Sequence, residues 1–140
     1  MSGLELDHIG IAVSSLRESL GFYEALGWTS FPEENVPGEK VKVAFVKMKN
    51  ACSIELLEPT DPESVIAKFI QKRGSGIHHI CLRVEDIDQK VKDLKAKGIR
   101  LVNEVPRKGA HDCRVVFVHP SSAGGVLVEL SEPPSTGKKD

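Results

Sequence analysis

Gly76-Ile77-His78-His79-Ile80-Cys81-Leu82-Arg83-Val84 decides how this chain is read. Its Ile, Leu and Val content, and the Gly74-Ser75-Gly76 breaker before it, predict a strand over 77–84. Side chains alternate across a strand, so His78, Ile80, Leu82 and Val84 share one face and His79, Cys81 and Arg83 the other. A lone histidine in such a strand is most simply a core residue bonded to backbone. This strand, however, occurs twice.

Working outward, Asp7-His8-Ile9-Gly10-Ile11-Ala12-Val13 superimposes on the later strand at a shift of 71, which lays His8 on His79. Ser15 falls on Asp86 and Glu18 on Gln89, so each copy continues into a capping box of a polar N-cap followed by Glu or Gln. Gly27 falls on Gly98, each just past a run with helical spacing, where a left-handed residue ends a helix. At a shift of 72, Val43-Ala44-Phe45-Val46 meets Val115-Val116-Phe117-Val118, and at 74, Glu55-Leu56-Leu57-Glu58-Pro59 meets Glu129-Leu130-Ser131-Glu132-Pro133. Both drifts fall where loops absorb them.

The chain is a tandem repeat within 140 residues, long enough for a sizeable core without staples. Nineteen basic residues against 20 acidic give no electrostatic case for nucleic acid or a broad membrane surface, which leaves a small molecule as the expected partner. Cys52, Cys81 and Cys113 are odd in number and lack CxxC spacing, so they read as reduced thiols of a cytoplasmic protein rather than a disulfide framework or a thiolate zinc site. The first strand begins too early for a signal or transit peptide, and no apolar run spans a bilayer.

In order, the pattern predicts a strand over 4–13, a helix capped by Ser14 or Ser15 to about Leu26, and a strand from Trp28 to Phe31. A polar turn or flap follows over 32–39, then a half-buried strand over 40–48 and a strand over 52–57. Asp61-Pro62-Glu63 reads as the start of a crossover helix ending near Lys72, with Asp as N-cap and Pro at the first helical position. The second copy repeats the order with a strand over 77–84, a helix over 86–97, and strands over 99–104, 113–118 and 125–131. Pro106 to Asp112 forms a loop with anion-binding groups, and 133–140 reads as a disordered tail. The expected fold is therefore α+β: two βαβββ modules in tandem, forming a curved mixed sheet, or cup, with helices on the outer face. As a domain it covers 1–132, with module one at about 4–59, the crossover helix at 61–73 and module two at about 76–132.

Each module offers a histidine on its first strand and a glutamate on its last. Strand parity puts His8 with Gly10 and Ala12, and Glu129 with Leu127 and Ser131, while Ile9, Ile11, Val13, Val128 and Leu130 point the other way. Two imidazoles and two carboxylates, His8, Glu55, His79 and Glu129, suit a divalent first-row metal with positions left for water or substrate. The absence of thiolates favours cobalt or manganese, with nickel, iron, zinc and magnesium as further options, over a closed structural zinc site. Either glutamate alone would be read as a solvated strand end. Four metal-capable residues at repeat-equivalent positions outweigh that reading.

These features resemble the vicinal oxygen chelate superfamily, also called the glyoxalase/bleomycin resistance superfamily, and within it the methylmalonyl-CoA epimerase family. The resemblance spans Leu6 to Glu132 and is carried by Gly76-Ile77-His78-His79-Ile80-Cys81, Val84-Glu85-Asp86-Ile87, Gly109-Ala110-His111, Phe117-Val118-His119-Pro120 and Gly124-Gly125-Val126-Leu127-Val128-Glu129-Leu130. It implies metal ligands at His8, Glu55, His79 and Glu129, a homodimer, and a CoA thioester substrate. The implied reaction interconverts (2R)- and (2S)-methylmalonyl-CoA by proton transfer at C2 through a metal-stabilised enolate. Inversion needs a proton carrier on each face of that enolate, and Glu129 is the candidate for one. Some members place a second glutamate where this chain has Val43; Glu39, Glu34 or a metal-bound water are the substitutes considered.

Asp112 stands where Gly usually follows the Gly-Ala-His run, and Ser121 where a Lys often follows His-Pro. Arg107 and Lys108 are candidate phosphate contacts or merely solvated cations. His111 either covers the substrate or shapes its loop, His119 reads as a turn residue, and His78 as structural. The same scaffold also serves glyoxalase-type lyases acting on a glutathione hemithioacetal, and non-catalytic small-molecule binders. An extradiol dioxygenase would need a longer, two-domain chain.

Overall fold

The computed structural model describes residues 4–135. It divides into two compact units, one of residues 8–78 and one of residues 4–7 with 79–135. The expected tail falls partly on 136–140, which lie outside the described residues.

The unit 8–78 carries β1 (Glu5–Ala12) from His8 onward, α1 (Leu16–Leu26), β2 (Glu33–Val36), β3 (Val41–Lys47), β4 (Ser53–Pro59) and α2 (Val65–Arg73). β4 runs parallel to β1 and antiparallel to β3, and β2 pairs antiparallel with β3, giving the order β2-β3-β4-β1. Ile11, Ala44, Val46, Ile54 and Leu56 project from one face of these strands against Leu16, Leu20 and Tyr23 of α1. Leu56 is 1% exposed, and burying a side chain of that size is worth about 1.5–3 kcal/mol.

The second unit repeats this plan with β5 (Gly76–Arg83) from His79 onward, α3 (Ile87–Ala96), β6 (Arg107–Lys108), β7 (Arg114–Val118) and β8 (Val128–Glu132). β8 is parallel to β5 and antiparallel to β7, and β6 pairs antiparallel with β7. Leu82, Val84, Val116, Val118 and Leu130 pack against Ile87, Val91 and Leu94 of α3. In both units the parallel pair needs a crossover, and the helix supplies it while covering one sheet face.

The repeat persists in the hydrogen bonding. Ser15 accepts the Glu18 N–H at 3.2 Å, and Asp86 accepts the Gln89 N–H at 3.1 Å. Glu58 at the end of β4 accepts the Leu16 N–H at 2.8 Å, and Glu132 at the end of β8 accepts the Ile87 N–H at 2.9 Å. Each module thus uses its last strand to satisfy the orphan amides of its helix N-terminus, where the dipole favours a carboxylate. The repeated Leu-Leu-Glu-Pro and Leu-Ser-Glu-Pro segments therefore hold two kinds of glutamate, a helix cap and the earlier Glu55 or Glu129. Gly27 closes α1 at φ +114°, as its sequence position predicts.

Five local expectations are corrected. Residues 28–31 form no strand: Trp28 and Phe31 pack on the α1 core, and the Trp28 indole donates to the Lys47 carbonyl at 3.0 Å. The polar segment 32–39 is instead an edge strand, β2, followed by a 3-10 turn over Pro37–Glu39, because the open edge of β3 pairs it. β3 is buried on both faces from Val43 to Val46 rather than half-buried. α2 begins at Val65, capped by Ser64, whose Oγ accepts the Ala67 N–H at 2.9 Å; Asp61 accepts the Glu63 N–H in a separate turn. Residues 99–104 keep a single bridge, Leu101 to Val118. There the Asn103 side chain accepts the Phe117 N–H at 2.9 Å and donates to the carbonyls of Val105 and Val115, replacing backbone pairing.

Candidate metal and proton-transfer residues

In the unit 8–78, the face opposite α1 carries His8 and Glu55. Gly10 is the register partner of Glu55 on the parallel β4, so His8 sits two residues, one full pleat, before that contact. The side chains meet, His8 Nδ1 lying 2.9 Å from Glu55 Oε2. In the other unit Cys81 is the register partner of Glu129, His79 again sits two residues earlier, and His79 Nε2 lies 3.1 Å from Glu129 Oε1. The four residues are 5, 7, 5 and 9% exposed, in the order His8, Glu55, His79, Glu129. Buried ionisable groups at such positions are costly unless paired, so these pairs are built features rather than strand ends in solvent.

The neighbours repeat as well. Phe45 faces Glu55 across β3 and β4, and Phe117 faces Glu129 across β7 and β8. The Phe117 ring meets the His79 imidazole edge-on with centroids 6.0 Å apart, fixing that imidazole's orientation. By strand parity Ser131, Val115 and Arg107 lie on the same face as Glu129. The Arg107 guanidinium sits 5.8 Å over the Phe117 ring. Arg83 is anchored by its ion pair with Asp7, which raises its affinity for the proton, chiefly through that hydrogen bond. Burial pushes the Cys113 thiol up from its ordinary value, partly offset by a hydrogen bond to Ser131.

The other sequence candidates separate cleanly. Lys108 alternates away from Arg107 and pairs with Asp112 at 2.9 Å. His111 and Asp112 both adopt left-handed φ, 56° and 58°, so the departure from Gly at Asp112 occurs at a backbone position that favours Gly. His119 is a turn residue, its Nδ1 accepting the Ser121 N–H at 3.0 Å. His78 packs edge-on against Phe69 of α2 at 4.9 Å, a structural role. Glu39 lies in the 3-10 turn after β2, whereas Glu34 lies on β2 directly opposite Val43. Sequence reasoning placed Ser131 on the Glu129 face, as the register bears out, but missed Phe117 and Cys113; their shared parity with Glu129 through β7 and β8 was the available signal.

The donor types fit a divalent cation. His8, His79 and Glu129 are among the described residues able to hold a metal ion. Two ligands in adjacent positions on an octahedral ion with bonds near 2.1 Å are separated by about 3.0 Å. The nitrogen-to-oxygen separations of 2.9 and 3.1 Å match that spacing within each pair. Without a cation, the same separations suit hydrogen bonds.

The sequence pattern of the Glyoxalase/Bleomycin resistance protein/Dioxygenase superfamily matches residues 7–117. Mitochondrial methylmalonyl-CoA epimerase of Homo sapiens is 43% identical over 129 residues, covering 91% of this chain and 73% of that protein. The crystal structure of methylmalonyl-CoA epimerase from Mycobacterium tuberculosis is 40% identical and superimposes with a TM-score of 0.87, covering 96% of this chain and 91% of that one. A methylmalonyl-CoA epimerase solved in complex with methylmalonyl-CoA and NH4+ is 34% identical with a TM-score of 0.86, covering 96% of this chain and 97% of that one. The α+β fold of eight strands and three helices among the described residues is thus that of solved relatives. Two βαβββ repeats, each with its buried histidine and glutamate, and these similarities place the chain in the glyoxalase/bleomycin resistance protein/dioxygenase superfamily, within its methylmalonyl-CoA epimerase family.

Proposed function

We propose that this chain is an epimerase that interconverts (2R)- and (2S)-methylmalonyl-CoA, with His8, Glu55, His79 and Glu129 as its divalent-metal ligands. The observation that carries the reading is the pair of buried His–Glu contacts at repeat-equivalent register positions. Relatives named for this activity, one of them solved with the substrate, support it. Cobalt or manganese, held by these residues, would supply Lewis-acid stabilisation of negative charge developing on the substrate's oxygens, worth several kcal/mol.

The chain's own residues handle the proton. A hydrogen α to a thioester is weakly acidic, so the base must be positioned beside it and shielded from bulk water. Glu129 is that catalytic residue: one carboxylate oxygen lies 3.1 Å from His79 Nε2, where the two atoms would hold the cation together, and the second is the candidate acceptor for the C2 proton. Phe117 holds His79 in place and lends the Glu129 face an apolar wall. Loss of the C2 proton leaves a planar enolate, and return of a proton to its other face inverts the centre.

The partner is a CoA thioester, with Arg107 the better-placed candidate contact for its anionic groups because Lys108 is turned to Asp112. A homodimer in a reducing, cytoplasm-like compartment completes the proposal; the three cysteines are free thiols. Among the described residues, no helix is long and apolar enough to cross a membrane.

The test is deuterium incorporation at C2 of each methylmalonyl-CoA epimer in D2O, with metal-free and with cobalt- or manganese-loaded protein. Metal-dependent exchange with interconversion is expected. Absence of exchange with every metal, beside glutathione-dependent turnover of methylglyoxal, would replace the epimerase with glyoxalase-type chemistry.

A further inference from the structure

We infer that Arg107 is a positioning residue for the metal ligand His79, acting through the Phe117 ring that contacts both. This rests on the reading of His79 and Glu129 as metal ligands, and every residue it joins belongs to the unit of residues 4–7 and 79–135.

The hairpin of β6 and β7 places the guanidinium. β6 is two residues long and pairs Arg107 with Val115 and Lys108 with Arg114. Two backbone bonds close its turn, Gly109 N–H to the Cys113 carbonyl at 2.9 Å and Cys113 N–H to the Ala110 carbonyl at 3.2 Å. Gly109 lets the hairpin pack closely on Val115, because a Cβ there would come 3.1 Å from Val115 Cγ1. Lys108, on the opposite side, reaches Asp112. Arg107 therefore projects to the Glu129 face, diagonal to Phe117, which lies two residues beyond its register partner. Its guanidinium carbon is 5.8 Å from the Phe117 ring centroid, within cation–π range.

The internal repeat shows what the cation adds. Phe45 is the module-one counterpart of Phe117, and both backbones are pinned: Phe45 N–H donates to the Pro32 carbonyl and Phe117 N–H to Asn103 Oδ1, each at 2.9 Å. The rings differ in their cover. Phe45 is 3% exposed, whereas Phe117 is only half-buried. A ring bordering solvent keeps rotamer freedom that a cation resting on it removes. Phe117 in turn meets the His79 imidazole edge-on, at 6.0 Å and 87°. His79 Nε2 lies 3.1 Å from Glu129 Oε1, so any rotation of the imidazole displaces the nitrogen from the carboxylate with which it would share the ion. Groups that orient a ligating imidazole from behind control metal affinity. The chain fixes another imidazole in the same way: His78 meets Phe69 edge-on at 4.9 Å, and Arg73 lies 5.9 Å over that ring.

Charge alone predicts the opposite effect. Removing a cation near a metal site lessens the repulsion of a divalent ion and tightens its binding. Removing a support for a ligand loosens it. The sign of the change separates the two roles.

The experiment titrates manganese and cobalt into the metal-free chain without substrate. It compares wild type, Arg107→Met, Arg107→Lys, Lys108→Met, Phe117→Leu and the double variant Arg107→Met/Phe117→Leu. The readouts are the metal Kd, the visible absorption of bound cobalt, and a metal-free melt showing that each variant is folded. A cation–π contact at an exposed site corresponds to about a two- to fivefold change in an equilibrium constant, so Arg107→Met should bind manganese about two- to fivefold more weakly. Its cobalt spectrum should shift, a change in ligand geometry that a loss of general stability does not produce. Arg107→Lys keeps a cation for the ring and should retain the wild-type affinity and spectrum. Lys108→Met should bind metal as tightly as wild type or more tightly. In the Phe117→Leu background Arg107→Met should weaken binding no further, because the connecting ring is gone. Should Phe117→Leu fail to fold, the contrast between Arg107→Met and Arg107→Lys still decides. An Arg107→Met protein that binds metal as tightly as wild type, or more tightly, would overturn the assignment, as would an undiminished loss in the Phe117→Leu background. A wild-type chain that binds neither metal would instead overturn the reading of His79 and Glu129 as ligands.

Discussion

Replacing His79 by alanine should expose how stability and metal binding are tied together at the buried pairs. His79 and Glu129 meet at 3.1 Å with side chains only 6% and 12% exposed. Deleting the imidazole strands the carboxylate in a poorly solvated position and removes the edge contact to Phe117. Breaking a buried pair by removing one partner costs about 3–5 kcal/mol, moderated here if Glu129 takes up a proton. For a chain of this length each kcal/mol shifts Tm by roughly 3–4 °C, so metal-free His79→Ala should melt about 10–15 °C below wild type. Manganese or cobalt at 100 times its Kd stabilises a one-site protein by about 2.7 kcal/mol, or roughly 8–10 °C for wild type. If His79→Ala binds about 100-fold more weakly, the same metal concentration gives only about 0.4 kcal/mol, a shift of 1–2 °C. Glu129→Gln separates the two effects: its amide oxygen can still accept from His79, so metal-free stability should fall by about 1 kcal/mol while most of the metal-induced shift disappears. Thermal melts by circular dichroism with and without metal, together with metal content, decide the matter. A His79→Ala protein that keeps the full metal-induced shift would refute the ligand assignment, and one that melts with wild type would refute the energetics of the pair.

Ser64→Ala should lower stability by about 1 kcal/mol through loss of the α2 cap, whereas Asp61→Ala should cost less, as urea midpoints of the two variants would show. Cys113 has a folded-state pKa raised by burial, so the fold keeps the thiol protonated. Its contribution is fully present below the unfolded value near 9 and is lost as pH rises from there through the folded value, because the unfolded chain releases the proton first. Urea midpoints at pH 8 and pH 10 should therefore fall less for Cys113→Ala than for wild type; equal falls would show that Cys113 is not among the groups responsible.

Much of the site was legible because the sequence repeats itself. A histidine on each first strand and a glutamate on each last strand can be recognised without coordinates, and strand parity correctly separated the His8 face from the Ile9 face. Capping boxes at Ser15 and Asp86 were equally plain, since a cap is a local hydrogen bond over three residues. Failures came where tertiary partners override local preference. Trp28 to Phe31 has the composition of a strand but spends its aromatic rings on the α1 core, while the polar Glu33–Val36 becomes a strand because β3 offers it an edge. Residues 99–104 keep backbone bonds only around the Leu101–Val118 bridge, and past it the Asn103 amide takes over the pairing, an interaction no periodicity encodes. Asp61 reads as the cap in the sequence because Pro62 follows it, yet the chain uses Asp61 for a turn and caps the helix with the buried Ser64.

By itself, then, the sequence determined the tandem βαβββ plan, the helix-facing core and the four metal-capable residues, because these follow from period, parity and repetition. Tertiary structure alone decided which neighbours those residues have. The parallel register of β1 with β4 and of β5 with β8 joins each histidine to its glutamate, and the pairing of β2 with β3 moves Glu34 from a polar turn onto the His8–Glu55 face. Register is a relation between distant segments fixed by packing, and a one-residue slip would turn every one of these side chains to the other face.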